Sequence, residues 1–427
     1  MDPRKLTYRL SPQQKALWPE YDAKPAYVSS LVVRLQGVLR SELLRRALAG
    51  VMARHSILRT LFPRRPGIRD SVQMVAGTDA PLWREVDLSR YTPVDGLSAV
   101  DLLIGEDLDA IFDLEQGPVV RATLARLAAD RHLLIITMPS FCADSKSLAN
   151  LLKELVSHYT RADDDSLAED PVQYVQYTEL QYTLLADADG EEARAYWRKQ
   201  AATTSTLSLP LEHKEPPAGE KSRRAQVVTF EVEAELLDAL HALEKQGFDQ
   251  ETSLLACWVS LLWKLTGESH LSISYTCDGR LYEEINDSIG LFARVAPTTY
   301  DLDGGMSFKE LLVEVQESVR VANEWQEYCV AETGHSSTED DLHRSPISFE
   351  YTEGVPGLRT NDLGISVYGQ YSMIRRSKLK LTCLDDANGT LLLQFYYDPG
   401  FYNREAVEML ARRFGLLLRQ CVSYPET

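Results

Sequence analysis

Positive charge is in short supply. The 427 residues carry 45 Lys and Arg against 63 Asp and Glu, a net charge of −18, and the pI is about 5.0. No run rich in Lys or Arg occurs, and a nucleic-acid binder needs a basic face, so no nucleic-acid partner is expected. Cysteine is sparse and unpaired: Cys142, Cys257, Cys277, Cys329, Cys383 and Cys421 stand singly, with no CxxC pair to build a thiolate zinc site. No metal is expected. No stretch is long and apolar enough to span a bilayer. The opening Met1-Asp2-Pro3-Arg4-Lys5 leads into no apolar run of the signal-peptide kind. Together these absences imply a cytoplasmic chain with reduced thiols and no membrane contact. Internal repeats of solenoid length are also missing.

What is present is the composition of an ordinary globular protein, 44% apolar and 25% charged. A chain of this length exceeds what one hydrophobic core usually supports. Two lobes are expected, residues 1–180 and 181–427. The first clear helix covers Glu42–His55, with Ser41 as its N-cap and Leu44, Ala47, Leu48, Val51 and Met52 on one face. His132–Met138 is a continuous apolar run, the pattern of a buried strand. A short polar segment, Pro139–Ser145, follows. Then Leu148, Leu151, Leu152, Leu155, Val156 and Tyr159 recur at helical spacing. Strand, tight loop and helix in this order place unpaired backbone N–H groups at the loop.

The stretch Arg161–Asp170 reads as an acidic surface loop and His213–Arg224 as an exposed linker. Helices are expected around Tyr174–Leu185, Glu191–Gln200 and Ala234–Lys245. Ser253–Leu265 is apolar on nearly every face and should be a buried helix. Strands are expected at Val227–Val232, Leu271–Thr276, Ile347–Tyr351, Lys378–Cys383 and Leu391–Tyr397, and a last amphipathic helix at Arg404–Cys421. Strands interleaved with helices argue for an α/β class.

Several short motifs, in one order, resemble the condensation domains of nonribosomal peptide synthetases. Leu10-Ser11-Pro12-Gln13-Gln14-Lys15-Ala16-Leu17-Trp18 is similar to the first family motif. Arg54-His55-Ser56-Ile57-Leu58-Arg59-Thr60-Leu61-Phe62 matches the second almost letter for letter. Tyr174–Tyr182 resembles the fourth. Gly279-Arg280, Glu283-Glu284-Ile285 and Ile289-Gly290-Leu291-Phe292 resemble the fifth, Ser345–Tyr351 the last, and Tyr397-Asp398-Pro399 with Phe401 the closing strand and turn. The resemblance implies an α/β fold of two chloramphenicol acetyltransferase-like lobes arranged in a V around a central tunnel. It also implies carrier-protein partners that present substrates on phosphopantetheine, with no cofactor intrinsic to the domain.

The third motif, H-H-x-x-x-D-G in the family, departs. Here it reads Pro139-Ser140-Phe141-Cys142-Ala143-Asp144-Ser145, with Pro139 and Ser140 in place of both histidines. A general base needs a pKa near the working pH, which imidazole has and a serine hydroxyl lacks. Ser140 remains able to donate a hydrogen bond to a developing oxyanion. A nucleophilic Ser140 or Cys142 would need an adjacent base, and a small, inert Cys142 is the commoner case. By resemblance, Asp144 is structural, paired with Arg280; acid chemistry and helix capping are the other readings. Cys142, Ser145 and Arg294 are expected along the tunnel, Arg294 pointing either into it or outward. His55 and Arg59 are expected to be structural. The sixth motif is barely visible at Trp325-Gln326-Glu327-Tyr328-Cys329, and His335 faintly matches an epimerisation motif.

Two functions follow. One is a non-condensing platform that docks carrier proteins and a tailoring oxygenase, such as a β-hydroxylase, as the interface domains of siderophore synthetases do. The other is an acyltransferase that joins carrier-bound thioester and amine without histidine, with Ser140 and Asp144 at its centre.

Overall fold

The computed structural model describes residues 7–23, 27–64, 71–76, 80–91, 93–109, 111–160, 170–187, 190–203, 207–213, 225–332, 346–360, 362–386 and 389–423. Met1–Lys5, His335, His343, Ser345 and Tyr424–Thr427 lie outside them, as do nearly all of the expected loop Arg161–Asp170 and linker His213–Arg224.

The chain folds as two compact α/β units. The linear division near residue 180 and the division by packing differ. The first unit comprises Met1–Ala186 but also takes back Arg280–Ala293 and Glu353–Arg375 from later in the chain, and the second holds the rest.

In the first unit a six-stranded sheet runs in the order Leu358–Arg359, Leu363–Ser372, Val28–Gly37, Arg131–Pro139, Arg121–Arg126, Leu82–Asp87. Its pairs are antiparallel except the last, which is parallel. Side chains alternate across a strand, and the two faces of Val28–Gly37 bury different partners. Leu31, Val33 and Leu35 join a core that includes the helices Ser41–Arg54 and Ser145–Thr160. Val32 packs instead with Val100, Leu103 and Ile104 of the helix Pro93–Leu108. Burial on both faces in the middle of this strand explains why it lacks a clean alternation.

Leu44, Ala47, Leu48, Val51 and Met52 are all buried, as the helical stripe requires. Ser41 is not the cap. Arg40 takes the N-cap position, its side chain making no capping hydrogen bond, and Ser41 is the first helical residue.

The second unit has its own six-stranded sheet, ordered Arg294–Asp301, His270–Cys277, Ile347–Glu353, Leu379–Asp385, Leu391–Tyr397, Gln226–Glu231. The helix Gln250–Thr266 is buried at every position from Thr252 to Leu262. It begins three residues before the apolar run because the Asp249 carboxylate accepts from Thr252 N–H. It stops at Gly267, whose φ of 72° is the left-handed end cap.

Gly37 closes the pairing of Val28–Gly37 with Leu363–Ser372 at φ 124°, where a Cβ would sit 2.1 Å from the Asp362 carbonyl oxygen. Left-handed backbone alone costs a non-glycine residue about 1–3 kcal/mol, and here a backbone clash adds to it. Gly37→Ala therefore destabilises the protein more than Gly267→Ala, where no neighbouring atom is met. Urea unfolding of the two variants measures this, and an equal loss at both sites contradicts the clash.

Candidate functional site

The loop Pro139–Ser145 hangs between the strand Arg131–Pro139 and the helix Ser145–Thr160. Its backbone is tied down along its length. Ser140 N–H donates to Tyr27 O at 3.1 Å, and Cys142 N–H to Pro139 O at 2.8 Å. The Gln14 amide donates to Phe141 O at 3.1 Å, Ser29 Oγ to Ala143 O at 2.7 Å and the Gln370 amide to Ser145 O at 3.1 Å.

Asp144 is wholly buried and is the electrostatic centre of this unit. Arg280 donates from both terminal nitrogens to its two oxygens, at 3.1 and 3.0 Å. Ser147 N–H donates at 2.8 Å, with Ser147 Oγ at 2.7 Å from the same oxygen. The N–H groups of Phe292 and Ala293 donate to the other oxygen at 2.8 and 2.9 Å. Burial pushes the Asp144 pKa up, but the Arg280 charge and these donors outweigh it and hold the carboxyl below its usual value. A carboxylate so enclosed stays ionised and has no free lone pair for acid or base work. Its bond to Ser147 N–H is also a helix cap, so pairing and capping coexist.

The other motif residues meet at the same place. Gly290 lets the Tyr174 ring lie against the backbone, since a Cβ there would be 2.2 Å from that ring. The Tyr174 hydroxyl lies 2.7 Å from Ser11 Oγ and 2.8 Å from Leu291 O. The first, third, fourth and fifth motifs thus form one hydrogen-bonded block. The second is tied in differently: Phe62 meets Phe141 edge-on with ring centroids 4.7 Å apart, and His55 Nε2 is 2.9 Å from Glu154 Oε1 on the helix that follows the loop.

Ser140 is fully buried. Its hydroxyl lies 3.1 Å from Ser29 Oγ, which is in turn 3.2 Å from Ser372 Oγ. Ser29 Oγ also meets the Ala143 carbonyl, the shortest of these contacts. The Ser140 hydroxyl is thus held in a chain of serine hydroxyls, and either oxygen of its contact with Ser29 can be the donor. Among the described residues, no imidazole, carboxylate or amine is a partner of that hydroxyl. Ser29 and Ser372 escape motif reading because each sits in a strand, with no sequence neighbour to mark it. Cys142 packs in the apolar core, and burial pushes its thiol pKa up, so it is not a thiolate at neutral pH. Ser145 opens the helix and is buried.

Arg294 belongs to the second unit. It points neither into open space nor outward, being only 1% exposed. It donates to Glu327 Oε2 at 2.7 Å and to Gly279 O at 3.2 Å, while Gln326 Oε1 accepts from Gly279 N–H at 2.8 Å. The worn sixth motif is therefore Arg294's partner set. On the face of this unit's sheet that the apolar core leaves aside lie Ser348, Glu350, Lys380, Thr382, Gln394 and Tyr396, all buried, with Lys380 and Glu350 ion-paired. The sign of it in sequence is the alternation of Lys378, Lys380 and Thr382 with Leu379, Leu381 and Cys383. Among the described residues, no cluster of His, Cys, Asp and Glu suits a metal, and no helix is long and apolar enough to cross a membrane.

Comparison with known proteins gives a match to the family described as Condensation domain over residues 5–427. Phosphinothricin tripeptide synthetase PhsC of Streptomyces viridochromogenes is 28% identical over 94% of this chain, which spans only 38% of that protein's length. The first condensation domain of the calcium-dependent antibiotic synthetase superposes with a TM-score of 0.83 at 18% identity, covering 99% of this chain and 98% of that one. The X-domain of teicoplanin biosynthesis, solved in complex with OxyB, gives 0.76 at 23% identity, covering 100% and 95%. These similarities agree with the two-unit α/β architecture.

Removing one partner of a buried ion pair leaves an uncompensated charge. Asp144→Asn therefore lowers stability at neutral pH by roughly 3–5 kcal/mol. Because the folded-state pKa of Asp144 is depressed, the wild-type advantage is complete above the ordinary carboxylate value. It shrinks as the pH falls below about 4. Urea unfolding of both proteins across this range tests the assignment, and a gap that stays constant or widens on acidification contradicts it.

Proposed function

The chain belongs to the condensation domain family, and on that footing we propose that it serves nonribosomal peptide assembly as a non-condensing platform. In this reading it receives carrier proteins with their phosphopantetheine-bound intermediates and docks a tailoring enzyme, such as an oxygenase, beside them. The observation that carries it is Ser140: the position of the family's working imidazole holds a buried hydroxyl whose neighbour is the Ser29 hydroxyl, 3.1 Å away.

Amide formation from a thioester and an amine must move a proton off the attacking nitrogen. A positioned base contributes about 10²–10⁴-fold to such a step, and Ser140 is not one. What the chain keeps is the Asp144–Arg280 block, which holds the loop in shape without taking part in proton transfer. Retaining scaffold while losing base suits recruitment. The X-domain, of the same fold, forms a complex with a second protein, OxyB, so this architecture supports a docking role.

The competing reading is acyl transfer without histidine, driven by positioning of the two substrates. It draws on the intact block at Asp144 and on the close fit to a condensation domain studied with a substrate analogue.

A reconstituted transfer assay separates them. The protein is mixed with a donor-loaded and an acceptor-loaded carrier, and intact-protein mass spectrometry follows the acyl group. No transfer above background is expected, while a histidine-bearing family member converts the same pair. Transfer that disappears in Ser140→Ala would overturn the platform reading and place chemistry at the loop.

A further inference from the structure

A hollow of about 280 Å³ lies at one end of the first unit's large sheet, with Arg34, Gln36, Arg359, Gly364 and Ser366 in its lining. Strand register explains why these meet. Ser366 stands opposite Arg34, Gly364 opposite Gln36, and Arg359 opposite Gly364. Arg34 and Gln36 share a strand face with Val32. The helix Pro93–Leu108 covers Val32 but stops short of them, and both are exposed. Gly364 contributes no side chain, so the middle of the row is open.

The chemistry of this lining is one-sided. Among the described residues it contains two guanidinium groups and no carboxylate, in a chain whose net charge is −18. Several arginines elsewhere meet acids, among them Arg280 with Asp144, Arg294 with Glu327 and Arg376 with Asp398. Arg34 and Arg359 have no carboxylate partner among the described residues. Arg34 is instead held over the Tyr368 ring, 5.2 Å from its centroid, an arrangement that orients a guanidinium without neutralising it.

We propose that this hollow binds a small ligand through a doubly charged phosphate group, either a phosphate monoester or a diphosphate. Each guanidinium is a planar fork that can engage two phosphate oxygens. The Gln36 amide and the Ser366 hydroxyl add neutral donors. Two positive charges match a dianion, whereas a phosphodiester leaves one of them unbalanced. The volume sits near the low end of small-molecule pockets, roughly 300 Å³, which leaves room for part of the esterified group. The site stands apart from the Pro139–Ser145 loop and does not depend on the platform reading.

Isothermal titration of the full chain at physiological salt tests this, with inorganic pyrophosphate and phenyl phosphate as probes. Dimethyl phosphate and malonate report on a single charge and on a dicarboxylate. Saturable one-site binding of the first two is expected, weakened at least about ten-fold by Arg34→Gln or Arg359→Gln and abolished when Ser366→Leu fills the hollow. Both arginines are exposed, so these variants keep the fold, which circular dichroism and a thermal melt verify. Absence of saturable binding, or binding untouched by the two arginine variants, overturns the site. Equal affinity for malonate or dimethyl phosphate overturns the phosphate assignment.

Discussion

A carboxylate with no access to water must be answered by charge and hydrogen bonds from the protein, and the first unit is organised around that demand at Asp144. An ion pair at this depth gives little net stability, since desolvation of both partners offsets their attraction. What it imposes is geometry. Arg280, Ser147 and the N–H groups of Phe292 and Ala293 each approach from a fixed direction. The segment 280–293 is held in this unit by that demand. Tyr174 and Ser11 in turn depend on the segment's backbone, so a slip at one donor would be felt across the block.

Much of this was legible in the sequence, for a physical reason. A buried ion pair and a glycine pressed by an aromatic ring tolerate few substitutions, so Asp144, Arg280, Gly290 and Tyr174 stand in recognisable motifs. The helical stripe of Ser41–Arg54 was equally plain, because one face meets core and the other water. The strand Val28–Gly37 was not read. Both its faces are covered in its middle and open at one end, which leaves neither alternation nor a continuous apolar run. The helix Phe308–Glu332 was missed as well. The hydroxyl cluster of Ser29, Ser140 and Ser372 was invisible, because serine is common and only the fold brings residues 343 positions apart into contact.

Ser140 and Arg294 are buried in different ways. Ser140 is a small hydroxyl that the interior absorbs into its own hydrogen bonding. Arg294 is a charge, and Glu327 supplies the opposite sign. The first needs no counter-charge and the second is given one, so the interior accommodates both. A buried arginine without Glu327 would carry the cost of an unpaired ion.

The return of residues 280–293 and 353–375 to the first unit has a consequence for biosynthesis. Strand Leu363–Ser372 is second in the sheet's order, between Leu358–Arg359 and Val28–Gly37, so that sheet is incomplete when its first 186 residues leave the ribosome. Translation of the stretch up to Arg375 takes roughly ten to forty seconds at about 5–20 residues per second. For that interval the nascent chain holds an open β edge at Val28–Gly37, and for about the first half of it Asp144 lacks Arg280 as well. The two units cannot mature as independent beads on the ribosome; the first closes only when most of the second has been made.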